Sequence, residues 1–206
     1  MYPPDRRPSS VRGLADRDAE SSLQELAGDE IHLAVATRPR TTEDFRDHEF
    51  RLGRAALARV LTRRGDRCDP LQVRFPHPAL SMSHSADTAV AVGLRSRAAA
   101  TGLGVDLELP RAIDRRAARY FLSEGERLPT EDPAALQQLW TIKEAVFKAD
   151  VHNAGLLLRD YVICELRGGD VVTEGVARRG AMFFRFRSFR LPEMLLSIAR
   201  PERTSA

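Results

Sequence analysis

The last quarter of the chain constrains the fold most. Residues 161–166, 171–176, 181–189 and 194–199 are four short runs of alternating or β-branched and aromatic residues, with no helical period between them. Strands joined by connections this short pair antiparallel. The helical signals fall elsewhere. Runs of strands kept apart from helices indicate an α+β chain rather than a parallel, doubly wound sheet.

Upstream, residues 1–30 are rich in Pro, Ser, Arg and Asp and read as a loose leader. Residues 31–37 alternate as a strand. Thr42 is placed to cap a helix over 43–63, and Gly65 to end it. Strands are predicted at 71–75, 79–83 and 88–94. The small, polar stretch 95–102 suits a junction, which divides the chain into an N-terminal half, 31–100, and a C-terminal half, 101–206. The second half opens on a strand at 103–108, then a helix over 114–121. Ser123 and Glu126 form a capping-box pair. Asp132-Pro133 starts a long helix reaching about Asp150. Each half thus has a long helix and several strands, without a residue-level repeat.

Composition removes several classes. No apolar run approaches the roughly 20 residues of a membrane span, and no signal segment opens the chain. Cys68 and Cys164 form neither a disulfide framework nor a zinc motif, which favours a reduced, cytoplasmic protein. A net charge of +3 argues against nucleic-acid wrapping but allows a local anion pocket. Of 32 lysines and arginines only Lys143 and Lys148 are lysine. Such a bias speaks first to coding preference, yet both survivors stand on one helix beside Trp140 and Glu144.

Four groups of residues can carry chemistry. Asp106 and Glu108 share one face of their strand, with Val105 and Leu107 pointing the other way. Two carboxylates so close repel unless a cation joins them, and oxygen-only donors favour Mg²⁺ or Mn²⁺. A bare Asp-x-Glu is more often an exposed strand end, but Gly102 and Gly104 permit close approach of a backbone or ligand. Glu144 and Lys148 lie one helical turn apart; as a surface pair they would contribute about 0.2–0.5 kcal/mol. An ammonium can also give up a proton, which arginine cannot do near neutrality. Ser83 and His84 follow each other on a strand, so they face opposite ways; with no GxSxG elbow they suit phosphate contact better than serine hydrolysis. Arg51 and Arg54, three apart on the first long helix, can converge on one anion.

In order, Gly104-Val-Asp-Leu-Glu108 and Trp140-Thr-Ile-Lys-Glu-Ala-Val-Phe-Lys148 resemble the GxDxE and (W/F)xxKExxxK motifs of the 4′-phosphopantetheinyl transferases. Ser83-His84 and, more loosely, Gly53-Arg54 match further family elements. The resemblance covers about residues 50–161 and implies the longer monomeric type, two similar halves related by a pseudo-twofold. It implies transfer of the phosphopantetheine arm of coenzyme A to a serine of an apo-acyl or peptidyl carrier protein, with 3′,5′-ADP as the second product. Asp106, Glu108 and Glu144 would hold Mg²⁺, or Mn²⁺, and Glu144 would also act as base. Lys148 would bind the pyrophosphate, and Arg51, Arg54, Ser83 and His84 the coenzyme A phosphates. Arg38 and Arg40 would replace early lysines of the family, and Glu126 falls where some relatives place a further acidic residue. Lys143, about 100° around the helix from Glu144, would touch substrate, carrier or solvent. The alternatives are a metal-dependent hydrolase of the coenzyme A pyrophosphate and a nucleotide or carrier-protein binding module without turnover.

Overall fold

A computed structural model describes residues 16–37, 45–96, 101–124, 126 and 132–202. Thr42, Arg38 and Arg40 lie outside the described residues. In chain order the elements are α1 (Asp16–Ala27), β1 (Ile31–Thr37), α2 (Phe45–Arg64), β2 (Leu80–Ser85), β3 (Thr88–Leu94) and β4 (Gly104–Glu108). Then come α3 (Arg115–Phe121), α4 (Pro133–Ala149), β5 (Val162–Gly168), β6 (Val172–Arg179), β7 (Met182–Leu191) and β8 (Met194–Pro201). All strand pairings are antiparallel, in a three-stranded sheet ordered β1-β3-β2 and a five-stranded sheet ordered β4-β8-β7-β6-β5. The α+β class expected from the segregated strand signals is the one observed.

Side-chain size sorts the layers. On β1 and β3 the small Ala34, Ala36, Ala89 and Ala91 face α2, where Leu52, Ala56, Leu57, Val60 and Leu61 cover them. The larger Leu33, Val35, Val90 and Val92 face the opposite way and meet Val105, Leu107, Leu196 and Ile198 of the second sheet. That shared apolar layer joins the two sheets. On the far side of the second sheet α4 buries Ile142, Ala145, Val146 and Ala149 against Phe184, Phe186 and Ala199.

Two expectations change. The segment read as a loose leader carries α1, and its side chains satisfy the outer edge of β1. Leu33 N–H donates to Gln24 and Val35 N–H donates to Glu20, while Arg59 of α2 donates to the Val35 carbonyl. Leu23 inserts into the shared core beneath them. Leu23, Leu26 and Ala27 together with these edge contacts hold the helix, a short apolar stripe at the end of a segment otherwise rich in Pro, Ser, Arg and Asp. The strand predicted at 71–75 is absent. Asp69 instead accepts a hydrogen bond from the Leu71 N–H and opens a single 3-10 turn, Pro70–Gln72, which β-branched content alone could not foretell.

Candidate functional site

The site forms where the two sheets meet. Ser81, Ser83 and Ser85 share the face of β2 that looks toward β4. The Ser81 hydroxyl accepts from Val105 N–H at 3.0 Å, and Ser85 accepts from Leu109 N–H at 3.3 Å. Between them Ser83 donates to Asp106 Oδ1 at 2.9 Å. Side-chain hydroxyls thus stand where a backbone ladder would otherwise join the strands.

Helix α4 approaches β4 from the other side because two glycines permit it. A Cβ on Gly104 would lie 1.8 Å from the Ala145 carbonyl oxygen, and one on Gly102, whose φ is +146°, 2.0 Å from that of Ala149. The helix starts on the predicted signal: Asp132 accepts from Ala134 N–H, and Pro133 follows. Buried Gln137 then fixes the chain after β4, accepting from Arg111 N–H and donating to the Leu109 carbonyl.

These contacts bring Asp106, Glu108, Glu144, Lys148 and Ser83 together. Lys148 Nζ lies 2.7 Å from Asp106 Oδ1 and donates to Ser83 Oγ at 3.1 Å. Asp106 is 4% exposed, yet its Oδ2 is buried without a hydrogen-bond partner. Burial raises the Glu144 carboxyl above its usual range; Lys148 opposes this, while Asp106 and Glu108 add to it. Burial also raises Glu108, against the nearby Arg111, with Asp106 adding to the rise. Trp140 lies edge-on to Phe121, its indole beside Glu108. Three carboxylates, two with their pKa raised by desolvation and mutual repulsion, are an arrangement that a hard cation would stabilise. The orphaned Oδ2 gives it a vacant oxygen donor. Among the described residues no three such side chains are already gathered into a coordination shell. An ammonium lies on Asp106 instead.

The other candidates are dispersed. His84, on the α2 side of β2, is 3.8 Å from Glu49 and turned away from Ser83, as strand alternation requires. Arg51 is exposed on α2. Arg54 donates to the carbonyls of Pro70 and Val73 and lies over the rings of Phe50 and Phe75, so it secures the 3-10 turn. Lys143 is fully buried and reaches neither solvent nor Asp106: its Nζ donates to Glu126 at 2.5 Å and to the Tyr161 carbonyl at 2.8 Å. Glu126 also accepts from the N–H groups of Ser123 and Ile163. The capping-box signal located Glu126 beside Ser123, but only the fold shows its other contacts. The Ser81–Ser85 seam was legible as alternation on β2 yet not as a bridge to β4.

A polar row extends from the site across the second sheet. Asp106 stands opposite Ser197, Ser197 opposite Ser188, and Ser188 opposite Thr173. Gln138 of α4 donates to both Ser188 and Thr173. A cavity of about 860 Å³ lies by α1 and β5–β8 and is lined by none of the three carboxylates.

Residues 102–189 match the family model of the 4′-phosphopantetheinyl transferase superfamily. The matched stretch contains Asp106, Glu108, Glu144 and Lys148, whereas Arg51, Arg54, Ser83 and His84 precede it. No curated protein matches the chain.

Proposed function

From the 4′-phosphopantetheinyl transferase superfamily domain formed by residues 102–189, we propose that this chain transfers the phosphopantetheine arm of coenzyme A to a serine of an apo-carrier protein. The products would be holo-carrier protein and 3′,5′-ADP. The observation that carries the reading beyond the family is the buried, unpartnered Asp106 Oδ2 within a cluster of carboxylates and one lysine. Asp106, Glu108 and Glu144 fit a divalent cation, Mg²⁺ or Mn²⁺. When bound, it would supply positive charge that lets an anionic pyrophosphate enter and its phosphorus be attacked.

The chain's own groups supply the rest. Glu144, its carboxyl raised by burial, is suited to take the proton of the carrier serine, because a base with a raised pKa holds that proton more readily. Lys148 places an ammonium where charge develops on the departing nucleotide phosphate and can return a proton to it. Ser83 orients both Lys148 and Asp106. His84 and Arg51, on the α2 side, are the groups proposed to meet the remaining coenzyme A phosphates. Arg54 would do so only by leaving the Pro70 and Val73 carbonyls.

In this reading residues 31–100 and 101–206 are two halves of a pseudo-twofold enzyme that works as a cytoplasmic monomer, with residues 1–30 ahead of them. The serine seam between β2 and β4 supports the two-halved view. No helix among the described residues is long and apolar enough to cross a membrane.

Incubation with coenzyme A, Mg²⁺ and an apo-carrier protein is expected to raise the carrier's mass by about 340 Da, the phosphopantetheine arm on serine. Release of 3′,5′-ADP without that mass gain would replace transfer by pyrophosphate hydrolysis. Binding of coenzyme A with neither product would leave a binding module.

A further inference from the structure

Resting on the metal-dependent reading above, we propose that Lys148 is an exchangeable counter-ion. It neutralises the carboxylate cluster while no cation is bound, and it leaves Asp106 for the substrate's phosphates only when a divalent ion takes its place.

Three observations point this way. Lys148 lies 2.7 Å from Asp106 Oδ1, its one carboxylate partner within ion-pair distance among the described residues, and its charge is also felt by Glu108 and Glu144. A single charge does not satisfy them: Asp106 Oδ2 stays unpartnered. The two partners also differ in freedom. The Asp106 side chain is 6% exposed and fixed on a strand, whereas that of Lys148 is 28% exposed on a long flexible stem. In an exchange the lysine moves.

An ammonium and a divalent ion cannot crowd the same carboxylate cheaply, since like charges a few ångströms apart repel strongly where water is scarce. Ser83, which already accepts from Lys148, gives the displaced ammonium a neighbouring anchor. Lys143 cannot take this part, being sealed against Glu126 and the Tyr161 carbonyl. The lysine needed for phosphate is therefore delivered only in a loaded site. A lysine that simply waits for phosphate would be indifferent to metal in the absence of coenzyme A.

The sequence provides two probes. Trp140 is the only tryptophan and lies beside Glu108, so its quenching reports Mn²⁺ binding without turnover. Lys148 is the only lysine with solvent exposure, so amine labelling followed by mass spectrometry reads its release. Without coenzyme A, Lys148→Met is expected to bind Mn²⁺ about tenfold more tightly than the wild type, and Lys148→Arg to stay within about threefold. Arg111→Met neutralises the exposed guanidinium 3.1 Å from Glu108 and should shift affinity less, which separates displacement from general charge. Saturating Mg²⁺ should speed Lys148 labelling. The proposal is overturned if Lys148→Met binds no more tightly than the wild type, if Arg111→Met matches it, or if Mg²⁺ slows labelling. Failure of both wild type and Lys148→Met to bind Mn²⁺ would overturn the metal-dependent reading, and this one with it.

Discussion

Asp106 holds opposite demands on its two oxygens. Oδ1 accepts from Ser83 and Lys148, while Oδ2, equally buried, accepts from nothing. An unsatisfied buried acceptor costs about 1–3 kcal/mol, and sites that bind ligands are where such a cost persists. Glu108 and Glu144 show the same tension through their titration. Burial first, and repulsion within the cluster, raise both carboxyls above the usual 4.5. A raised folded-state pKa contributes stability that is complete below the unfolded value and lost as pH rises through the folded one. The metal-free protein should therefore lose this contribution as pH rises above about 4.5 through the raised folded-state values, while Mg²⁺ binds only the ionised carboxylates. Differential scanning fluorimetry should show a larger Mg²⁺-induced rise in Tm near about pH 7.5 than near about pH 5, and Asp106→Asn should remove it. Equal rises at both pH values would contradict this. The three acidic residues were legible in the sequence because strand and helix periods put them on defined faces. The unpartnered oxygen was not, since hydrogen-bond supply depends on residues far along the chain.

At the scale of elements, the meeting of α4 with β4 decides whether the carboxylates converge. Gly104 lets the helix backbone pass where a side chain would stand, and Ala145 and Ala149 present no bulk there. Gly104→Ala places a methyl group into the Ala145 carbonyl and must push α4 away from the strand. The expected cost is about 3 kcal/mol by denaturant unfolding, with loss of the proposed transferase activity as Glu144 moves from Asp106. An unchanged unfolding midpoint would show that the contact is looser than this geometry. On the opposite flank the buried Lys143–Glu126 pair sets the rotation of α4 by tying it to the turn after α3 and to the start of β5. Desolvation lowers the Lys143 pKa against the pull of Glu126, as burial of an ammonium requires. So the two lysines of one motif do different work. Lys148 faces the site, and Lys143 holds the helix that carries it.

Across the whole molecule, two dissimilar sheets enclose one shared apolar layer and are stitched along β2 and β4 by serine hydroxyls. The stitch is strongest where it is buried. Ser81→Ala leaves the Val105 N–H without its acceptor in the interior and should cost about 1–3 kcal/mol of unfolding free energy. Ser85→Ala, at the exposed end, should cost clearly less, because water can replace the lost hydroxyl. The reverse order would mean that the two sheets are held by the apolar layer alone. By itself the sequence determined the α+β class, most strands, the start of α4, and the strand and helix faces bearing Asp106, Glu108, Glu144 and Lys148. These follow from local spacing, which the backbone geometry of a strand or helix converts directly into shared faces. Only the tertiary structure decided that α1 covers the β1 edge, that Arg54 secures a turn, that Lys143 is sealed on Glu126, and that Ser83 holds Lys148 against Asp106. The partner of a buried charge is whichever group the folded chain brings near, here 42 residues away in sequence for Lys148, and no local period records that distance.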